Sequence, residues 1–146
     1  MHQTFALKDL GDLDYFLRIE VTKSTNEIHL SQAKYIADIL AKHGMISCSP
    51  VPTPMCTGHH FTKDSGDVID NVSQYISIIG PLQYVTLTRA EITFSVNKLS
   101  QFLSSPRTQH WKDCKRLLKY LNGTLHFGLQ LHINGAMQIH CFTDSD

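Results

Sequence analysis

The sequence is defined first by what is missing from it. No apolar run approaches the roughly 20 residues that a bilayer-spanning helix needs, so no membrane role is expected. The amino terminus, MHQTFALKDLGDL, has neither a basic opening nor an apolar stretch of the secretory kind. Net charge is also absent: 13 basic residues balance 13 acidic ones. Bulk charge therefore gives no reason to expect nucleic acid, and any such signal must lie in how the charge is distributed. There is no glycine-rich phosphate loop and no Gly-x-Ser-x-Gly elbow. The nine histidines form no nucleophile–base set. The four cysteines, Cys48, Cys56, Cys114 and Cys141, are scattered, which fits reduced thiols in an intracellular protein better than a disulfide framework.

The 146 residues are 42% hydrophobic and 18% charged, a globular balance for one domain of ordinary size. Residues 13–21 (LDYFLRIEV) and 27–31 (EIHLS) read as strands joined by the turn-forming TKSTN. Ser31 is placed to cap a helix over QAKYIADILAKHGM, and Gly44 to stop it. Residues 46–70 carry prolines and glycines without either period and predict a long loop or linker. Within it Cys48, Cys56, His59 and His60 have ligand chemistry but no paired-knuckle spacing, so no metal site is assigned.

Three helices follow. The first, over 71–87, is apolar at Val72, Tyr75, Ile78, Ile79 and Leu82, and its interior Pro81 predicts a kink or a break. The second opens with Thr88 and Glu91 in capping-box spacing and runs toward Pro106, with Ile92, Val96, Leu99 and Leu103 as its buried stripe. The third, TQHWKDCKRLLKYLNG, sorts at about 100° per residue into an apolar side, with Trp111, Cys114, Leu117, Leu118 and Leu121, and a basic side. The basic side carries Lys112, Lys115, Arg116 and Lys119. Such a stripe is either a solvated face or a track for a phosphate backbone. Residues 127–132 and 137–144 read as two more strands around an Asn-Gly turn. The second of these ends in Asp144, two residues before Asp146, and these are the only carboxylates in a strand-end, metal-binding context.

Six stretches in order (FALKDLGDLDYFLRIEV, IHLSQAKYIADILAKHGM, CSPVPTPM, IIGPLQYVTLTRAEITFSVNKLSQFLSSP, HWKDCKRLLKYLNGTLHFGLQL and FTDSD) resemble the copia-type reverse transcriptases of long-terminal-repeat retrotransposons. The resemblance implies an α+β architecture: the end of the palm with a primer-grip-like hairpin and helix (1–45), a loop (46–70), a thumb-like three-helix bundle (71–124), and a connection hairpin leading into ribonuclease H (125–146). It makes the α-helical basic stripe, together with Arg18 in the grip hairpin, the candidate nucleic-acid-binding set, with an RNA–DNA or DNA duplex as partner. Asp144 matches the first ribonuclease H metal ligand. Magnesium is expected for the complete family enzyme and no cofactor for this chain. No Tyr-x-Asp-Asp polymerase sequence occurs, so the chain alone is expected to be inactive, with the remaining palm and ribonuclease H segments as its natural packing partners. A separate duplex-binding module, or an interaction piece with exposed apolar faces, is the alternative. Three positions depart from the family pattern: Arg18 for a usual glycine, Pro81 for a small residue, and Ala90 for a proline.

Overall fold

The computed structural model describes residues 13–56 and 66–132. The second strand expected at 137–144, together with His59, His60, Asp144 and Asp146, lies outside them. The architecture is mixed α+β. Strands β1 (Tyr15–Phe16), β2 (Ile19–Lys23) and β3 (Glu27–Ser31) precede helix α1 (Ala33–Lys42). After the loop come α2 (Val72–Val85), a 3-10 turn (Ala90–Ile92), α3 (Thr93–Ser100), α4 (Thr108–Gly123) and β4 (Gly128–His132).

The stretch expected as one strand over 13–21 is two. Leu17 and Arg18 take positive φ values of 47° and 66° and fold β1 back on β2, with Tyr15 opposite Glu20 and Phe16 opposite Ile19. Two successive left-handed residues are what a tight hairpin turn requires, and Asn-Gly is the pair that usually supplies them. The glycine expected at position 18 thus has a backbone reason, and Arg18 occupies the same conformation at a steric cost of about 1 kcal/mol.

The N-terminal hairpin also keeps a sheet partner. Strand β4 pairs antiparallel with β3, Leu30 facing Leu129 and Ile28 facing Leu131, which closes a sheet of order β1-β2-β3-β4. Paired residues share a face. One face therefore carries Phe16, Ile19, Val21, Ile28, Leu30, Leu129 and Leu131. None of these belongs to the buried core, and Phe16, Leu129 and Leu131 are exposed. The opposite, more polar face meets the helices. There Glu20 accepts from the Lys34 backbone N–H (2.9 Å) and the Ser31 hydroxyl (3.2 Å). A carboxylate from β2 thus caps α1, where a cap from Ser31 itself was expected; Ser31 is instead the last residue of β3. Negative charge at this end also suits the helix dipole. Gly44, at φ 65°, closes α1 with a Schellman pair: its own N–H bonds Ala41 and the Met45 N–H bonds Leu40.

The core is helical throughout. Ile36, Ile39 and Leu40 of α1 meet Tyr75, Ile78, Ile79 and Leu82 of α2, Val96 and Leu99 of α3, and Cys114, Leu117, Leu118 and Leu121 of α4. Burial raises the Cys114 thiol to about 12, with Asp113 adding to the rise and Lys115 opposing it. Burial also raises the Tyr75 phenol, whose O–H donates to the Leu99 carbonyl at 2.8 Å.

Pro81 does not break α2, which runs unbroken from Val72 to Val85. Gly80 has no Cβ to meet the proline ring. The carbonyl that Pro81 cannot reach is that of Ser77, and His43 hydrogen-bonds to the Ser77 backbone. The expected capping box at Thr88 and Glu91 does not form. The Thr88 hydroxyl turns to the Gln32 amide oxygen (2.8 Å, buried), and the chain makes a 3-10 turn before α3 begins at Thr93.

Candidate nucleic-acid interface

Helix α4 carries the four basic residues of the stripe. Its N-terminus is held by a reciprocal pair in which the Arg107 backbone N–H donates to His110 Nδ1 at 3.0 Å. His110 is fully buried and stacks on Phe102, ring centres 3.9 Å apart. With its apolar side locked in the core, the helix presents its other side in a fixed orientation. Lys112 and Lys115 are exposed, and Arg116 and Lys119 half-buried.

The four are not equivalent. The Lys115 ammonium stands 5.0 Å from the centre of the Trp111 ring, a cation–π placement. Arg116 reaches the first arm of the long loop and donates from Nη2 to Thr53 Oγ1 at 2.8 Å. Asn122 anchors the same arm by donating to the carbonyls of Ile46 (3.2 Å) and Cys48 (3.0 Å). Gly123 lets Pro50 approach closely; a Cβ there would sit 2.6 Å from the proline's Cβ. The other arm docks at the start of α4, where the Thr108 N–H donates to Asp67 at 2.9 Å and Val68 bridges Arg107. Both described arms of the loop therefore pack on α4. Lys112 and Lys119 make no hydrogen bond or ion pair among the described residues.

Arg18 sits elsewhere. Its guanidinium lies 4.8 Å from the centre of the Tyr35 ring, and Tyr35 meets Tyr84 edge-on at 5.7 Å. The Tyr84 hydroxyl donates to the Leu17 carbonyl. The two aromatics thus pin the hairpin turn onto α1 and α2. Arg18 contacts none of the four stripe residues, so the candidate set divides into two places.

The sequence reading missed Arg89. It is the largest fully buried side chain, only 1% exposed. Its Nε meets Glu91 Oε1 at 2.7 Å, Nη1 donates to the Thr124 carbonyl at 2.9 Å, and Nη2 donates to Thr124 Oγ1 at 2.6 Å. The rings of Tyr120 and Phe127 flank it. With His29, His126 and Gln130 it lines a cleft of about 420 Å³ between the sheet and α4. A basic residue is expected outside; the one available signal was the misread Glu91, which pairs with Arg89 instead of capping the helix. Among the described residues no group of three or more His, Cys, Asp or Glu side chains could hold a metal, and no helix is long and apolar enough to cross a membrane. Cys48, Cys56 and Cys114 are free thiols.

Residues 1–57 match the family model described as reverse transcriptase (RNA-dependent DNA polymerase). The whole chain is 38% identical to the retrovirus-related Pol polyprotein from transposon RE2 of Arabidopsis thaliana, of which it covers 10%. It is 37% identical over its full length to an uncharacterized mitochondrial protein of the same plant, covering 60% of that protein. A putative transposon Ty5-1 protein of Saccharomyces cerevisiae is 29% identical over 97% of the chain, which covers 46% of it. The chain thus spans about a tenth of the Pol polyprotein it matches. No solved structure matches.

Proposed function

From the premise that the chain belongs to the reverse transcriptases of retrotransposon Pol polyproteins, we propose that its part in such a polyprotein is to hold the nucleic-acid duplex. The observation that carries this reading is the single-sign stripe on α4. Lys112 and Lys115 are exposed and Lys119 half-exposed, on a helix whose opposite side is fixed in the core, so the cations are held in line for successive phosphates. Arg116 contributes charge but also holds the loop. Arg18, at the pinned hairpin turn, supplies a second and separate contact.

Duplex binding should weaken with salt, with a log–log slope of about −0.9 per phosphate neutralised. Fluorescence anisotropy with a labelled RNA–DNA or DNA duplex measures it. Replacing Lys112, Lys115 and Lys119 together by Ala should flatten the slope by up to roughly 2.7. A triple variant with the wild-type slope would make the stripe a solvated face and nothing more.

Catalysis by these 146 residues alone is not part of the proposal. They contain no Tyr-x-Asp-Asp sequence, and Asp144 stands as a ribonuclease H ligand only on the family pattern. A second reading concerns partners: the open apolar sheet face, with Phe16, Leu129 and Leu131 exposed, suits packing against further segments of a polyprotein.

A further inference from the structure

The loop arm beside α4 carries chemistry that duplex holding does not use. Thr53 lies between Pro52 and Pro54, exposed and outside any helix or strand. Its hydroxyl oxygen accepts from Arg116 Nη2 at 2.8 Å. On the same edge of that guanidinium, Nε is buried and has no hydrogen-bond partner. One donor of the fork is therefore engaged by a neutral hydroxyl and the other by nothing, although leaving a buried donor unpaired is unfavourable. Lys112 and Lys119 lie one turn either side of Arg116, and Lys115 is its neighbour. Two parallel N–H donors surrounded by further cations are the arrangement that takes a phosphate bidentately.

We propose that Thr53 is a phosphorylation site whose phosphate docks on the Nε–Nη2 edge of Arg116, in the middle of the α4 basic stripe. The flanking Pro54 makes the segment a substrate for a proline-directed kinase, because the loop presents a Thr-Pro pair already free of helix or sheet bonds. The γ-phosphoryl group of a nucleoside triphosphate passes to Thr53 Oγ1. A new O–P bond forms there as the β–γ bridging P–O bond breaks. The hydroxyl proton goes to the kinase's base, and the nucleoside diphosphate leaves. The product places about −1.5 to −2 charges on the stripe and supplies the acceptor that Nε lacks. Its consequence for duplex binding, release, rests on the function proposed above; the modification and its docking do not.

The test treats the 146-residue chain with a proline-directed kinase, ATP and magnesium, and maps phosphate by mass spectrometry in wild type, Thr53→Val and Ser49→Ala. Ser49 precedes Pro50 in the same arm and is the internal control. Phosphate on Thr53, retained in Ser49→Ala and lost in Thr53→Val, is the expected result. Phosphate on Ser49 alone, or on neither, overturns the site. Phosphorus NMR titration then reads the docking. The phosphothreonine should titrate about one unit lower in wild type than in Arg116→Gln, with Arg116→Lys intermediate because it keeps the charge without the fork. Equal titration in all three overturns the docking. Phosphorylated protein should also bind duplex with a salt slope flatter by about 1.8, two phosphates' worth. If unmodified protein binds no duplex, the function proposed above fails, while the titration still decides this inference.

Discussion

Replacing Arg89 by Met separates the head group from its stem. Methionine keeps much of the buried aliphatic volume, so the change reports mainly on the guanidinium. That group makes three short polar contacts, to Glu91 and twice to Thr124, at 2.6–2.9 Å. The two partners fare differently when it is removed. Glu91 is 41% exposed and can return to water, so its loss resembles that of a surface ion pair, about 0–1 kcal/mol. Thr124 loses a charged donor on its carbonyl at the end of α4, and hydrogen bonds to charged groups are worth about 1.5–3 kcal/mol. Arginine's own desolvation is relieved, which offsets part of the total. The expected destabilisation is about 2–3 kcal/mol for Arg89→Met and at most about 1 kcal/mol for Glu91→Gln. Urea denaturation should show it as a midpoint lower by about 1–1.5 M at a slope near 2 kcal/mol/M, with the slope unchanged. If Arg89→Met stays within about 0.5 kcal/mol of wild type, or Glu91→Gln matches it, the tie from the 3-10 turn to α4 does not operate as described.

Two further outcomes follow from the geometry. Burial, helped by the Lys42 charge, holds His43 below its ordinary value of 6.5, against a hydrogen bond to the Ser77 backbone that acts the other way. The unfolded chain therefore binds the proton more readily than the folded one. Stability should fall as pH drops below about 6.5 and should be level with respect to this group above it. Denaturation midpoints at pH 7.5 and 5.5 should differ less in His43→Gln, and an unchanged difference would remove His43 as the cause. Arg18→Gly should relieve the left-handed strain of about 1 kcal/mol while giving up a cation–π contact with Tyr35 worth about 0.5–1 kcal/mol. Its net effect on thermal stability should be near zero. Clear destabilisation would mean that the Tyr35 contact outweighs the strain.

The helices were legible because each encodes its own buried stripe. Tyr75, Ile78, Ile79 and Leu82, or Cys114, Leu117, Leu118 and Leu121, recur at helical spacing and are buried as a group. What was not legible depended on partners distant in the chain. Leu17-Arg18 carries no turn signal, so the hairpin turn shows itself only in the backbone φ values and in the tyrosines from α1 and α2 that clasp it. Glu20 gives no hint that it caps a helix begun thirteen residues later. Pro81 is an honest breaker by local rules, made tolerable by Gly80 beside it in α2 and by His43 at the end of α1, whose bond to the Ser77 backbone comes from far back in the chain. The basic stripe was legible as a pattern, but Thr53's hold on Arg116 was not, since the loop that delivers it has no period to read. Asp144 lies outside the described residues, so its placement stays a family expectation.

The pairing of β3 with β4 also sets an order in time. Leu30 and Leu129 face each other across the sheet, yet all the described helices lie between them in the chain. Closing so long a loop is entropically unfavourable until something else brings its ends together. On a ribosome, β1, β2 and β3 emerge before the helices and β4, and must wait as an incomplete sheet with an open edge. The helical bundle, rich in contacts near in sequence, can condense before β4 exists. Strand β4 then joins the edge of β3, with the bundle acting as the splint that holds its place. Until that moment the edge of β3 is available to any other chain, and the vulnerable stage of this protein's life is its synthesis.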